Sequence, residues 1–131
     1  MDAPGQHWSG ALCVMNVRVT NITRGTVIAE QCEQARSFLA RGRGLMGRDR
    51  LDPGSGMLID PCSSIHTFFM RFPIDVVFID RAGRVVGLRA AMRPGLPYAG
   101  AWHARAVIEL PVGVIAASRT VVGDVVILGN V

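Results

Sequence analysis

SSIHTFFMRFPIDVVFID, residues 63–80, is the stretch whose reading decides the fold. It is almost continuously apolar, and ahead of its closing Asp80 the groups able to do chemistry are His66, Arg71 and Asp75. Its β-branched and aromatic residues favour strands, and Arg71-Phe72-Pro73 divides it into two, 64–70 and 74–80. A segment this apolar is normally buried, and an ionisable group buried with it needs a partner.

Working outward, Asp80-Arg-Ala-Gly83 reads as a hairpin loop with Gly83 suited to a positive φ, followed by a partner strand at 84–92. Upstream, the turn Asp52–Gly56 leads into a strand at 57–60 that Pro61 stops. Strands at 13–19 and 26–30 flank a polar stretch, 21–25, as a hairpin. Between 33 and 46 the period changes: Ala35, Phe38, Leu39, Gly42, Leu45 and Met46 recur at helical spacing. The prolines and glycines of 93–100 make a loop, and a strand at 104–110 ends at Pro111. Residues 113–119 fit one helical turn, and Gly123-Asp124 turns into a last strand at 125–128.

These elements amount to a mainly β fold, an antiparallel β-sandwich or barrel with one amphipathic helix packed on it. Residues 1–12 are expected to be a flexible N-terminus and 13–131 a single domain. Half the residues are hydrophobic and 18% are charged, which excludes a disordered tail. No apolar run free of charge approaches the roughly 18 residues of a membrane helix, so membrane insertion is not expected. The N-terminus lacks a basic region ahead of an apolar run, which suits a cytoplasmic protein. Cys13, Cys32 and Cys62 have no CxxC spacing and read as buried reduced thiols. All 14 basic residues are arginines, scattered apart from Arg41-Gly-Arg43 and Arg48-Asp-Arg50, which argues against a nucleic-acid stripe.

Several blocks occur in a distinctive order: Arg43-Gly-Leu-Met-Gly47, Gly56-Met-Leu-Ile59, His66-Thr-Phe-Phe-Met70, Pro73-Ile-Asp75, Phe78-Ile-Asp80, Gly83, Glu109-Leu-Pro-Val-Gly113 and Gly123-Asp124. Together they span about 90 residues and resemble the bacterial and archaeal domain-of-unknown-function family number 192. Val112 is a mild departure, standing where relatives often place a smaller residue. The resemblance implies a jelly-roll-like β fold and carries no catalytic residue with it.

On a strand at 74–80, Asp75 shares a face with Val77 and Ile79, so its charge needs Arg71 or a backbone amide. It is the best single functional candidate, although a structural cap or an arginine pair explains it as well. His66 alternates into the company of Phe68 and Met70, where a lone histidine is more often core than ligand. His103, just before the strand at 104–110, and Glu109 within it lie six apart, which puts them on one face if no bulge intervenes. A His66, His103 and Glu109 (or Asp75) cluster would make a histidine–carboxylate metal site. The spacing does not force this, so no cofactor is expected, and a divalent metal stays an open alternative.

Met46, Met57 and Met70 beside His66, Arg71, Asp75 and Glu109 form a candidate cleft. Tyr98, Trp102 and His103 form a candidate contact loop. No GxSxG, P-loop or GxGxxG element is present. The favoured expectation is a binding or accessory module for a small molecule or protein segment. The alternative is an acid/base or metal-dependent enzyme using Asp75 and Glu109 with His66 or His103. Nothing in the sequence demands an oligomer.

Overall fold

Alternation builds the first hairpin. On β3 (Asn16–Asn21), Val17 and Val19 are buried while Asn16 and Arg18 are exposed, and the partner β4 runs Thr26–Ala35. In the computed structural model, which describes residues 7–9, 12–14, 16–35 and 45–131, nine further strands accompany these two. They are β1 (His7–Ser9), β2 (Leu12–Val14), β5 (Ser55–Ile59), β6 (Ser64–Ile65), β7 (Ile74–Ile79), β8 (Val85–Met92), β9 (Ala99–Gly100), β10 (Ala106–Leu110) and β11 (Val126–Asn130). Among the described residues the one α-helix is α1 (Val114–Ser118), where the sequence placed a helical turn.

Seven strands form one sheet in the order β11-β3-β4-β5-β10-β7-β8, with two-stranded ribbons β1-β2 and β6-β9 beside it. The pairing is antiparallel except between β4 and β5, which run parallel from Gln31↔Ser55 to Ala35↔Ile59. Every residue of β7 and β10 is buried, because an apolar cluster covers each face of these central strands. One cluster gathers Val19, Leu58, Val77, Ile108, Leu110, Val85 and Val126, with Val114 and Ile115 of α1 packed on it. The other gathers Met57, Met70, Ile74, Val76, Phe78 and Val107, roofed by Leu51, Phe72 and Leu96.

The sheet curls until its two edges touch at one end. Arg84 bridges Val125, the Val85 N–H donates to the Asp124 carbonyl at 2.8 Å, and the Val126 N–H donates to that of Gly83 at 2.8 Å. Gly83, at φ +84°, lies so close that a Cβ there would collide with the Val126 carbonyl. A buried polar network anchors the same end. Asn21 Nδ2 donates to Thr120 Oγ1 and to Asp124 Oδ2, and Arg24 Nε donates to Asp124 Oδ2, each at 3.0 Å. The Arg24 guanidinium, and then the Asn21 amide, hold the Asp124 carboxyl down at about 2.

Three expectations change. The helical spacing at 33–46 does not make a helix of its first residues, since β4 continues through Ala35 to pair with β5; residues 36–44 lie outside the described residues, and 45–47 form a turn. The strand expected at 64–70 stops at Ile65, because Thr67 turns the chain by bonding elsewhere. The sheet is not wholly antiparallel, since β4 and β5 have a long connection between them rather than a tight turn. Cys32 is buried, and that burial, with Glu33 adding to it, pushes its thiol up to about 12. Cys62 is half-buried, and nothing is described of the Cys13 side chain.

Candidate functional site

Asp75 and Glu109 come from neighbouring strands and end on opposite faces of the sheet. Asp75 pairs with Leu110, and Glu109 pairs with Val76, so the one-residue offset sends their side chains apart. The Asp75 carboxylate, 1% exposed, accepts three backbone amides: Ala91 N–H at 2.8 Å, Ile115 N–H at 2.9 Å and Gly113 N–H at 3.1 Å. It therefore ties the start of α1 and an irregular point of β8 to β7, which is structural work. The expected partner Arg71 is absent from this set. Its guanidinium is exposed and donates to Asp49 at 2.6 Å.

Glu109 is also buried, at 3% exposure, between Met57 of β5 and Val76 of β7. Its Oε1 accepts no hydrogen bond among the described residues. Burial pushes its carboxyl up to about 7 against the pull of Arg48. Arg48 itself grips Glu33 of β4, with Nη2 to Oε2 at 2.8 Å. Their side chains line a polar cleft of about 240 Å³ together with Asn16, Gln31, Arg50 and Ser55. Met57, paired with Glu109 across the strands, and Met70 are core residues, and Met46 is half-buried.

His66 is exposed rather than packed in the core, since the strand that would have carried it inward ends one residue earlier. Its Nδ1 accepts the Phe68 N–H at 3.1 Å and its ring lies 5.3 Å from that of Phe68, centre to centre. His103 is exposed as well, at φ +67° in the loop before β10, not on the strand face with Glu109. The expected cluster of His66, His103 and Glu109 or Asp75 is thus dispersed. No group of three His, Cys, Asp or Glu side chains able to hold a metal occurs among the described residues.

The loop that carries Tyr98, Trp102 and His103 is exposed. Tyr98 is 68% and Trp102 84% exposed, and the turn after β6 adds Phe68 at 43% and Phe69 at 80%. Thr67 joins the two loops. Its hydroxyl donates to the Arg93 carbonyl and accepts the Leu96 N–H, both at 2.8 Å, while its N–H and C=O bond to Leu96 and Gly95. The ribbon pairs Ser64 with Gly100 and Ile65 with Ala99. A hollow of about 550 Å³ opens between Tyr98 and Trp102, lined also by Ser63, Gly100, Ala101 and His103. Phe69 holds φ +65°, rare for a bulky residue and typical of places where surrounding structure overrides local preference. The sequence placed Phe68 and Phe69 in an apolar pocket or core with the neighbouring methionines, and nothing local revealed that Thr67 would stop the strand and leave both exposed.

Among the described residues no helix is long and apolar enough to cross a membrane. The DUF192 family model, described as "Uncharacterized ACR", matches residues 19–128. The UPF0127 protein of Thermococcus sibiricus is 36% identical over 108 residues, covering 79% of this chain and 70% of that relative. The UPF0127 protein of Thermococcus gammatolerans is 35% identical over 113 residues, covering 82% and 72%. A crystal structure of a Novosphingobium aromaticivorans protein of unknown function superposes with a TM-score of 0.78 at 28% identity, over 96% of this chain and 93% of that one. A Sinorhizobium meliloti structure shares the fold, with a TM-score of 0.79 at 22% identity over 91% and 98%. Matched along most of its length by the family model, and more than a third identical to these archaeal proteins, the chain belongs to the DUF192 family.

Proposed function

We propose that this protein is a binding module whose aromatic ledge, Phe68, Phe69, Tyr98 and Trp102, docks an acidic, apolar segment of a partner protein. The observation that carries the reading is four exposed aromatic rings on two loops fastened together by Thr67. Tyr and Trp on a firm scaffold are the residues that dominate protein–protein recognition, and exposed apolar patches mark such sites. Charge supports an acidic partner: 61–73 and 93–105 contain Arg71, Arg93 and Arg105 and no Asp or Glu. Arg71 and Arg105 are neutralised by Asp49 and Asp60, whereas Arg93 has no carboxylate partner among the described residues. So few unneutralised cations suit a short acidic segment better than the repeated phosphates of a nucleic acid.

No cofactor enters this reading. The scaffold is taken as jelly-roll-like, supported by the curl of the sheet and the meeting of its edges. The test is selection of a displayed peptide library on the immobilised full chain, followed by calorimetry. Enriched peptides should pair Asp or Glu with Phe, Trp or Leu, and Trp102→Ala and Phe69→Ala should each weaken binding about tenfold or more. Binders indifferent to both substitutions would sink the reading, as would turnover of a substrate that Glu109→Gln abolishes.

A further inference from the structure

We propose that Glu109 is a proton-operated latch: on ionising it draws Arg48 away from Glu33 and shifts the 45–49 loop that holds the Phe69–Arg71 turn. Its bearing on recognition rests on the aromatic-ledge reading, but the coupling is a property of the free protein.

The geometry sets up a competition for one guanidinium. Glu33, Met57, Glu109, Val76 and Arg89 form a single cross-strand row over β4, β5, β10, β7 and β8. The immediate neighbours of Glu109, Met57 and Val76, offer no charge. Glu33 and Arg89 stand two strands away on either side, roughly 10 Å by strand spacing. The loop at 45–50 carries Arg48, Asp49 and Arg50, and the turn at 66–71 that it bonds carries the exposed His66 and Arg71. Asp49 and Arg71 hold each other, and Arg50 pairs with Asp52 in the open. Arg89 is exposed, whereas the field of Arg48 already lowers the Glu109 carboxyl, so Arg48 is the cation placed to answer a charge there.

The two carboxylates are unequal. The Glu33 side chain is about one third exposed, so water can replace Arg48 there at small cost. Glu109 is buried with Oε1 unpartnered, so its charge without a counterion would be far more costly. A proton leaving Glu109 near neutral pH thus reverses the preference of Arg48.

The loop carries the change outward. Leu45, 1% exposed, roots it in the core, and the Gly47 N–H donates to the Phe69 carbonyl at 3.4 Å. Asp49 accepts from Arg71 at 2.6 Å. Residues on both sides of Arg48 therefore grip the turn that presents Phe69.

The test is an amide NMR titration of the full chain from pH 5.5 to 8.5, in a His66→Gln background because the His66 ring touches Phe68 directly and accepts its N–H at 3.1 Å. The Gly47 and Phe69 amides and the Arg48 side-chain Nε should move together with a midpoint near 7. Glu109→Gln should flatten all three. Arg48→Met should silence Gly47 and Phe69 while the Glu109 carboxyl still titrates, at a higher midpoint. Gly47 and Phe69 flat while Glu109 titrates would overturn the latch, as would movement that survives either substitution. These readings need no partner, so the latch can fail while Trp102-dependent binding stands, and the reverse.

Discussion

The carboxylate of Asp75 accepts the amide of Ile115 at 2.9 Å, from a residue 40 positions along the chain. With Gly113 and Ala91 it satisfies three amides from two elements that would otherwise lie unbonded against the core. Asp75→Ala should therefore cost about 3–5 kcal/mol in urea unfolding, and Asp75→Asn, which keeps one acceptor, about 2–3. A loss below about 1 kcal/mol for the alanine variant would show that water replaces these bonds and that α1 stands without them.

Glu109 links stability to pH in the opposite sense from a paired carboxylate. Its folded-state value is raised from 4.5 to about 7, so the folded protein holds this proton where the unfolded chain has released it. Stability from this group is complete below about pH 4.5 and is lost as pH rises through about 7. Glu109→Gln removes the titration. The variant should be about equal to the parent at pH 4 and more stable at pH 8.5, by up to about 3 kcal/mol. Equal stability of the two proteins at pH 8.5 would mean that Arg48 or water fully compensates the charge.

Local pattern was enough for the hairpins and not for the site. Gly83 at φ +84°, the β3–β4 and β7–β8 pairings and the short α1 all follow from periodicity and turn residues within a few positions. Exposure of Tyr98 and Trp102 also followed, because prolines and glycines surround them. What could not be read depends on distant partners. The bonds from Thr67 to 93–96 overrode the strand propensity of Phe68-Phe69-Met70, and pairing with β5 held 33–35 extended despite helical spacing. The opposed faces of Asp75 and Glu109 follow from a register that no single strand contains.

Thr67→Val should loosen the ledge without disrupting the sheet. It strips the Leu96 N–H and the Arg93 carbonyl of their side-chain partner, at about 1–2 kcal/mol. Hydrogen exchange should speed up at Leu96 while the β7 and β10 amides keep their protection. Unchanged exchange at Leu96 would mean that the loop is held by other contacts.

Gly100→Ala should disturb a single ring. A Cβ at Gly100 would collide with the hydroxyl end of Tyr98, the far end of a side chain that can swing away, and would sit 3.2 Å from the Ser63 carbonyl, which must give by a few tenths of an ångström. The variant should unfold within about 1 kcal/mol of the parent. Affinity for a peptide selected on the parent should nevertheless fall severalfold. Loss of stability with intact affinity would place Tyr98 among the supports of the ribbon instead.

The meeting of β3 and β11 also says when this protein can be finished. Asn21 is fastened to Asp124, and Val17 lies opposite Asn130, so one of the earliest strands of the sheet waits for its last before its outer edge is covered. The β4–β5, β5–β10 and β11–β3 pairings all join distant stretches of chain, which makes closure slow compared with the local hairpins. On the ribosome, β4 waits for β5, but the outer edge of β3 stays bare until more than 90 residues beyond β4 have followed. That interval is when this chain is most open to pairing with a neighbour instead of with itself.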